Sequence, residues 1–319
     1  MNLTNNLNIP LYAAVWLLQD DYDYVDDPKY LSATTLLRPM KEVILSRRVD
    51  NSETEVDLSD YISRRLGSSL HDSVEKSWTD KKSLEKALNL MGYSIDEVAV
   101  NEKDPGDKVP VYLEQRSNKN ILGYRIGGKY DFVFNGLLHD LKSTSAYSWI
   151  HNDKDGDYAL QGSIYRWLNP DIITESAIKI TFIFTDWQGS QARSNPNYPQ
   201  SRIESKEIPL LSEAETERWI KQRISLYDLE KDLPEEEITP CTAKEMWLSD
   251  PIWKYYGNPN ADPATSRATK NFTDPMEAAG HLQAKGKGKI VEVPSEPKKC
   301  QKYCSAFSIC KQGQSYYEN

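Results

Sequence analysis

The chain has 319 residues, of which 27% are charged and 39% are hydrophobic, and its formal net charge at pH 7 is −9. These values are typical of a globular protein, either one large domain or one domain with an appendage. No apolar run approaches the roughly 20 residues of a membrane-spanning helix, and the first residues lack the charged and apolar regions of a signal peptide. We therefore expect a cytoplasmic protein with no membrane partner.

The first 58 residues are predicted to form an N-terminal segment that packs on the core. Within it, residues 31–47 predict a short helix, an interruption at Pro39 and a second helix, because proline cannot continue a helix.

Residues 59–78 predict an amphipathic helix that begins at a cap formed by Ser59 or Asp60. Its apolar residues recur every four positions, and we expect them to form a buried stripe: Ile62, Leu66, Leu70 and Val74. His71 adjoins this stripe, where a histidine is more often a core residue than a metal ligand.

The central prediction is a hairpin whose turn is Asn135-Gly136. A type I′ turn needs φ > 0 at both central residues, and Asn-Gly supplies it best. Counting outward from this turn places Asp131 opposite Asp140. Side chains alternate between the faces of a strand, so Lys142 lies on the same face as Asp140.

Two facing carboxylates repel each other unless a cation lies between them. Asp131, Asp140 and the Leu141 carbonyl offer the hard oxygen ligands that Mg²⁺ and Mn²⁺ prefer. An Asp-x-Lys pattern alone is usually a solvated strand face. Here both strands are apolar on both faces, as in a buried sheet. Lys142 would orient or deprotonate a water molecule, or stabilise a transition state.

The other predicted elements frame this hairpin. A helix over 157–168 places Gln161 and Tyr165 four residues apart on one face. The rest are, in chain order, a helix over 80–92, strands within 95–125, a strand over 178–184, a polar loop over 187–207 and a helix over 212–230. An acidic linker at 234–237 predicts the end of a core that spans residues 59–233.

Four cysteines follow that linker and define a predicted lobe over residues 234–319. Cys300, Cys304 and Cys310 form a C-x3-C-x5-C cluster, and Cys241 lies upstream. Clustered cysteines in a cytoplasmic protein indicate metal or iron–sulfur ligation more than disulfides. A [4Fe–4S] cluster, zinc and unligated thiols all stay open.

Several short basic clusters also interrupt this acidic chain. They are Arg47-Arg48, Arg64-Arg65, Lys81-Lys82, Lys285-Gly-Lys287-Gly-Lys289, and Lys298-Lys299 with Lys302. Such clusters are more often solvated faces than binding surfaces.

Taken in order, four short patterns over about residues 60–170 resemble the PD-(D/E)xK nuclease superfamily and its RecB-like branch. They are Gly67-x-x-x-His71, Asp131, Asp140-Leu141-Lys142 and Gln161-x-x-x-Tyr165. Tyr130 stands where the family pattern has proline. The resemblance implies an α/β fold, a restriction-endonuclease-like mixed sheet flanked by helices. It also implies that His71 is a further metal ligand, and that Gln161 and Tyr165 position the water, Lys142 or the DNA strand.

The cysteines extend the resemblance to AddB-like nucleases and to CRISPR-associated nucleases that carry an iron–sulfur cluster. Those relatives hold a [4Fe–4S] cluster with one distant cysteine and a C-terminal C-x2-C-x5-C trio. Here the first spacing is three residues, and Cys241 follows the nuclease motifs instead of preceding them. A cluster at Cys241, Cys300, Cys304 and Cys310 would be structural, with zinc as the alternative.

The resulting expectation is a Mg²⁺- or Mn²⁺-dependent DNA exonuclease of recombination, repair or phage DNA metabolism, acting on single-stranded DNA or free ends. Two alternatives share the same surface: a structure-specific or nicking endonuclease, and a non-catalytic module that binds DNA ends. A third is a zinc-bearing interaction protein in which the hairpin pattern is coincidental.

Overall fold

A computed structural model describes residues 2–20, 24–50, 55–151 and 154–317. The chain divides into two compact units. The first comprises Met1–Arg38 and Asp50–Ser225, and the second Pro39–Val49 and Leu226–Asn319. The segment around residue 44 thus groups with the cysteine-bearing unit, whereas the sequence pattern assigned it to the N-terminal segment.

The α-helices, in chain order, are α1 (Leu11–Leu18), α2 (Ala33–Leu37), α3 (Met40–Ser46), α4 (Ile62–Ser77), α5 (Lys81–Leu90), α6 (Ala146–His151), α7 (Asp155–Leu168), α8 (Gly189–Ser194), α9 (Glu213–Glu230), α10 (Pro275–Lys285), α11 (Lys298–Tyr303) and α12 (Lys311–Gln314). The predicted interruption at Pro39 is confirmed, since α2 ends and α3 begins around it.

The β-strands, in chain order, are β1 (Asn2–Thr4), β2 (Tyr30–Ser32), β3 (Glu55–Asp57), β4 (Val98–Val100), β5 (Val109–Ile121), β6 (Tyr124–Phe134), β7 (Leu137–Thr144), β8 (Ala177–Phe184), β9 (Ile203–Pro209), β10 (Ile252–Tyr256), β11 (Lys270–Phe272) and β12 (Lys289–Val293).

A seven-stranded mixed sheet organises the first unit and confirms the predicted fold class, an α/β sheet flanked by helices. Six strands run in the order β4-β5-β6-β7-β8-β9, and β2 pairs with β6 beside this path. The pairs β4–β5, β7–β8 and β2–β6 are parallel, and the other three are antiparallel.

The predicted hairpin is formed by β6 and β7. Asn135 and Gly136 have φ values of +47° and +82°, as a type I′ turn requires. Phe132 pairs with His139, as the count from the turn predicts. The ladder between the two strands ends at this pair, one residue before Asp131 and Asp140.

Both faces of the sheet are covered. The helix α7 contacts β6 and β8, and buried side chains of both layers make this core: Leu138, Ile164, Trp167, Ile178 and Phe182. On the opposite side, Leu88, Val98, Val111 and Leu113 form a second cluster, joined by Trp78 and Phe132. The hairpin therefore lies in the middle of a two-sided core.

The predicted apolar stripe of α4 is wrong as a buried surface. Ile62, Leu66 and Val74 are 38%, 50% and 39% exposed, whereas Arg65 is buried. Arg65 is held by Gln19 and by an ion pair with Asp72. The helix begins one turn later than predicted, and Asp57, not Ser59, caps the preceding 3₁₀ turn.

The polar segment 187–207 is only partly the predicted loop. It contains α8 and the start of β9, which pairs antiparallel with β8 at the edge of the sheet. One side of β9 is exposed along its whole length. Charged residues on an edge strand, here Glu204, Lys206 and Glu207, discourage pairing with another chain.

In the second unit, a three-stranded sheet in the order β11-β10-β12 packs against α10. Tyr255, Phe272 and Ala278 form its small buried core. The helix α10 begins at Asp274, whose carboxylate accepts hydrogen bonds from the N–H groups of Met276 and Glu277, a standard N-cap.

Gly136→Ala is expected to destabilise the protein by about 1–2 kcal/mol, the cost of the left-handed conformation for an L-residue. A methyl group there would also overlap Thr174 Oγ1. Urea unfolding of this variant beside Asn135→Gly, which keeps the turn without a side chain, measures the effect. Equal stability of Gly136→Ala and wild type would contradict the turn assignment.

Candidate metal centre

Counted outward from the turn, the pairing of β6 with β7 stops one residue before Asp131. Nearer its N-terminal end, β6 pairs with β2 instead. β7 continues alongside β8 through Asp140 and beyond. The predicted Asp131–Asp140 pair is therefore not part of the ladder. Instead, the Leu141 N–H donates to Asp131 Oδ2 across the gap, at 3.5 Å. The two carboxylates lie on either side of the gap where β6 and β7 separate, which is called the fork below.

Three side chains meet on the Asp131 side of this fork. His71 Nδ1 of α4 lies 3.1 Å from Asp131 Oδ2. One ligand atom each of His71, Asp131 and Glu114 lie within 4.8 Å of one another. Among the described residues, this is the group of histidine, cysteine and acidic side chains with the spacing of a metal site.

Glu114 is the residue of this group that sequence reasoning missed. It lies on β5 between the ladder pairs Leu113–Phe132 and Gln115–Tyr130, so it stands opposite Asp131. Its φ is +51°, a strained conformation for a residue other than glycine and one that clusters at functional sites.

A signal for Glu114 was present in the sequence. Leu122 and Gly123 form a second tight turn, with φ values of +48° and +77°, between β5 and β6. Counting outward from the pair Ile121–Tyr124 places Glu114 opposite Asp131. Leu-Gly is a much weaker turn signal than Asn-Gly, because leucine disfavours positive φ.

Asp140 and Lys142 form a pair on the other side of the fork. Asp140 is 4% exposed, and Lys142 Nζ donates to its Oδ1 at 3.0 Å. Nζ also lies 2.7 Å from Oδ2, but without hydrogen-bond geometry. In the part of the chain that the structure describes, Oδ2 is buried with no hydrogen-bond partner, which is costly unless another cation satisfies it.

The electrostatics of the His71–Asp131 pair favour the charged forms. Burial works to raise the pKa of Asp131, but the hydrogen bond and charge of His71, the charge of Lys142 and the Leu141 N–H together lower it. The hydrogen bond to Asp131 raises the pKa of His71 above its ordinary value, against the effect of burial.

The other charged groups of the site, Asp140, Lys142 and Glu114, also have shifted pKa values. Burial, followed by the neighbouring Asp131 charge, raises the pKa of Asp140. Burial acts to lower the pKa of Lys142, and the two aspartates more than reverse this. Burial also raises the pKa of Glu114, opposed by an ion pair with Lys129 at 2.6 Å. Three carboxylates with these environments repel one another, which a divalent cation would relieve.

Gln161 and Tyr165 lie one turn apart on α7, as predicted. Gln161 Nε2 donates to the Tyr165 hydroxyl at 3.0 Å, and the Tyr165 ring lies against the backbone of Gly128. Tyr165 lines the cavity described next, whereas Gln161 does not. Gln161 therefore contacts the cavity lining through its hydrogen bond to Tyr165.

Two cavities meet at the group of His71, Glu114 and Asp131, which lines both of them. The larger, about 540 Å³, has a mixed lining that combines aromatic rings with cations: Tyr30, Tyr61, Tyr165, Arg64, Arg65, Arg116 and Lys129. The second, about 350 Å³, is mostly apolar and includes Asp140 and Leu141. The ligand atoms thus stand at the passage from a charged cavity to an apolar one.

The donor set fits a hard divalent cation. Glu114, Asp131 and Asp140 contribute carboxylates, and carboxylate and carbonyl oxygens suit Mg²⁺ and Mn²⁺. His71 adds an imidazole nitrogen, which a first-row transition ion accepts more readily than Mg²⁺. Asp140 Oδ2 is a buried oxygen whose charged neighbour at 2.7 Å is Lys142 Nζ, and it could also accept such a cation.

The four cysteines lie around one small cavity of the second unit, together with Lys41 and Lys299. Burial raises the pKa of Cys241 to about 12 and that of Cys300 to about 11. The Gly313 N–H donates to Cys310 Sγ at 3.5 Å. Gln312 binds both the N–H and the carbonyl of Cys241, which ties the distant cysteine to the C-terminal trio.

The spacing of the sulfurs bears on their ligand. A zinc ion with Zn–S distances of 2.3 Å places tetrahedral sulfurs about 3.8 Å apart. No three of the four sulfurs lie within 4.8 Å of one another among the residues described. A cluster separates its thiolates more widely, since each one binds a different iron atom.

Among the helices that the structure describes, none combines the length and the apolar character needed to span a bilayer.

Comparison with known proteins gives weak similarities. No protein-family model and no curated protein matches the sequence. Among solved structures, the crystal structure of SSO0001 is 19% identical, with a TM-score of 0.40, and covers 73% of this chain and 95% of that one. A phage related exonuclease from Haemophilus somnus 129PT is 16% identical, with a TM-score of 0.28, over 51% of this chain and 73% of that one. Both TM-scores lie below 0.5, so neither similarity supports a function.

Proposed function

We propose that the protein is a metal-dependent nuclease that hydrolyses phosphodiester bonds of DNA. One observation carries the proposal: the buried Asp140–Lys142 pair lies across a fork in the sheet from His71, Glu114 and Asp131. Carboxylates and imidazole are the ligands of a divalent cation, and a neighbouring lysine can offset phosphate charge. Structural ion pairs seldom bring three carboxylates, a histidine and a lysine together beside a cavity.

Each residue has a role in this reaction. Asp131, Glu114 and His71 would hold the cation on one side, and Asp140 would complete its ligands from the other. A divalent cation in this position acidifies water and offsets the negative charge of a phosphate. Lys142, fixed by Asp140, directs its ammonium group at charge that develops on the scissile phosphate. Tyr165, oriented by Gln161, lines the cavity that leads to the reacting group.

The volume of the larger cavity favours the end of a DNA strand as the substrate. About 540 Å³ on one side of the ligand atoms lies in the range of roughly 300–1,000 Å³ that holds one small molecule. A duplex is far too large for it, whereas a nucleotide of a single strand fits. Tyrosine rings of the cavity lining can stack on its base. We therefore propose exonucleolytic cleavage from a free end.

Digestion of end-labelled linear DNA beside a covalently closed circle, with Mg²⁺ or Mn²⁺, tests this proposal. Mononucleotides or short products from the linear substrate alone support an exonuclease. Cutting of the circle favours the structure-specific or nicking endonuclease. No metal-dependent cleavage of either substrate would leave a module that binds DNA ends.

For the second unit, we propose that Cys241, Cys300, Cys304 and Cys310 hold a structural [4Fe–4S] cluster. Support comes from the four thiols around one cavity and from Gln312, which ties Cys241 to the C-terminal trio. The raised thiol pKa values imply that binding releases protons, as ligation of thiolates requires.

Cys310→Ser is expected to remove the brown absorbance of protein purified without oxygen and to unfold the second unit, because a structural metal contributes to folding directly. Iron and sulfide analysis, with circular dichroism, measures the loss. Ser308→Ala, an exposed position two residues away, is the control and should retain the cluster. One equivalent of zinc without iron would establish the zinc alternative, and neither metal would leave free thiols.

A further inference from the structure

The basic loop between α10 and β12 is held in one conformation. Lys285 ends α10, Lys287 lies in the loop and Lys289 begins β12, and the two glycines that separate these lysines have positive φ. At Gly288, with φ +101°, a side chain would overlap the Tyr256 carbonyl. The Tyr255 hydroxyl donates to the Lys287 carbonyl at 2.9 Å. The backbone faces the small sheet, and the side chains of Lys285 and Lys287 are exposed.

A fourth lysine lies at the same end of this sheet. Lys270 pairs with Tyr255 and Lys289 with Tyr256 in the ladders on either side of β10. Lys270 and Lys285 both act on His281, whose pKa is lowered by burial first and by these two charges next. The four lysines, Lys270, Lys285, Lys287 and Lys289, are called the lysine end below.

Four acidic residues of the same module lie at its opposite end, whereas a fifth, Asp262, lies in the loop that joins β10 to β11 at the lysine end. Asp250 precedes β10, Asp274 and Glu277 begin α10, and Glu292 pairs with Trp253. Asp262, in the loop between β10 and β11, accepts hydrogen bonds from its own neighbours Ala264 and Thr265. Within the described residues, no lysine of the lysine end makes an ion pair.

In two other basic clusters of the chain, basic side chains form ion pairs with acidic residues. Arg64 pairs with Asp20, Arg65 with Asp72, and Lys299 with Glu42. A cation in the last turn of α10 complements the helix dipole, which accounts for Lys285 alone. The remaining three lysines make no ion pair among the described residues, although Lys270 Nζ lies 4.7 Å from the centroid of the Phe272 ring, and they belong to a chain whose net charge is −9. Such a separation of charge suits a polyanion.

We propose that the lysine end binds the phosphate backbone of the DNA substrate. The choice of DNA as the polyanion rests on the proposed nuclease function, whereas the site itself rests on the lysines. Contacts from lysine to phosphate position a nucleic acid without reading its sequence. The second unit thus adds affinity for DNA that the metal centre alone does not supply.

The test is the salt dependence of DNA binding, measured without metal so that no cleavage occurs. Anisotropy of a labelled 30-nucleotide single strand in EDTA compares wild type with Lys285→Gln/Lys287→Gln. Loss of two phosphate contacts is expected to reduce the slope of log K against log salt by about 1.4, at about 0.7 per contact for a single strand. If the two proteins bind equally at 1 M salt, this is about 25-fold weaker binding at 0.1 M.

The matched control is Lys103→Gln/Lys108→Gln, two exposed lysines in a loop that also carries Glu102, Asp104 and Asp107. It should bind as wild type does. An unchanged slope in the lysine-end variant, an equal loss in the control, or no DNA binding by wild type would each overturn the proposal. The first of these outcomes would leave an acidic protein surface as the partner.

The nuclease proposal and the lysine-end proposal can be rejected independently of each other. Normal binding by the lysine-end variant of a protein that cleaves DNA would reject the lysine end and leave the nuclease. A salt slope that depends on the lysines, in a protein that cleaves no substrate with Mg²⁺ or Mn²⁺, would reject the nuclease and leave a DNA-binding surface.

Discussion

Asp140→Ala is expected to reduce metal-dependent cleavage of linear DNA by at least about 10³-fold, since metal activation of water and phosphate is worth several kcal/mol. The substitution removes the buried carboxylate whose Oδ2 has no hydrogen-bond partner among the described residues. It also releases Lys142, which Asp140 fixes at 3.0 Å. Both the cation and the ammonium group lose their position at once.

End-labelled linear DNA with Mn²⁺, resolved by gel, measures this effect. Asp107→Ala, at an exposed loop position, is the matched control and should cleave at the rate of wild type. Asp140→Asn keeps an oxygen for Lys142, so it carries the test if the alanine variant loses its fold by circular dichroism. Retention of more than a tenth of the activity in the folded asparagine variant would remove Asp140 from the mechanism.

Glu114→Gln and Lys129→Met are expected to change metal affinity in opposite directions. Loss of the Glu114 carboxylate should weaken Mn²⁺ binding by about 10- to 100-fold, the range seen when the partners of metal ligands are removed. Lys129 pairs with Glu114 at 2.6 Å and is 42% exposed. Its removal should tighten binding by about 2- to 5-fold, because the cation no longer displaces a partly exposed ion pair.

Titration of the free Mn²⁺ signal by electron paramagnetic resonance measures this binding without DNA or catalysis. Glu75→Gln is the matched control: Glu75 lines both cavities but lies outside the group of His71, Glu114 and Asp131. Glu75→Gln should change Mn²⁺ affinity by less than about threefold, which is the size expected for the loss of one surface charge. A larger effect at Glu75 than at Glu114 would show that the cation lies further along α4.

The helix α4 shows where periodicity alone misleads. Its apolar residues repeat every four positions, yet Leu66 is 50% exposed and Arg65 is buried. Periodicity identifies a helix with two faces but does not say which face meets the protein. Here the face of His71 and Gly67 turns toward β7, and Arg65 is buried because Gln19 and Asp72 hold its guanidinium.

The sequence by itself determined the hairpin and therefore half of the candidate site. Asn135-Gly136 accepts two positive φ values, which local chemistry alone decides, and the period of two then carries Asp140 and Lys142 to one face. It also determined other elements, such as the helix α9, in which Ile220 and Ile224 are fully buried.

Only the tertiary structure decided which distant groups join that hairpin. His71, which only the family resemblance indicated, comes from α4, and Glu114 comes from β5 through a Leu-Gly turn that local preference signals only weakly. The fork between β6 and β7 depends on β2, a strand about 100 residues earlier. Contacts of this kind depend on how elements pack, and packing energy is spread over many side chains, so no short stretch of sequence records it.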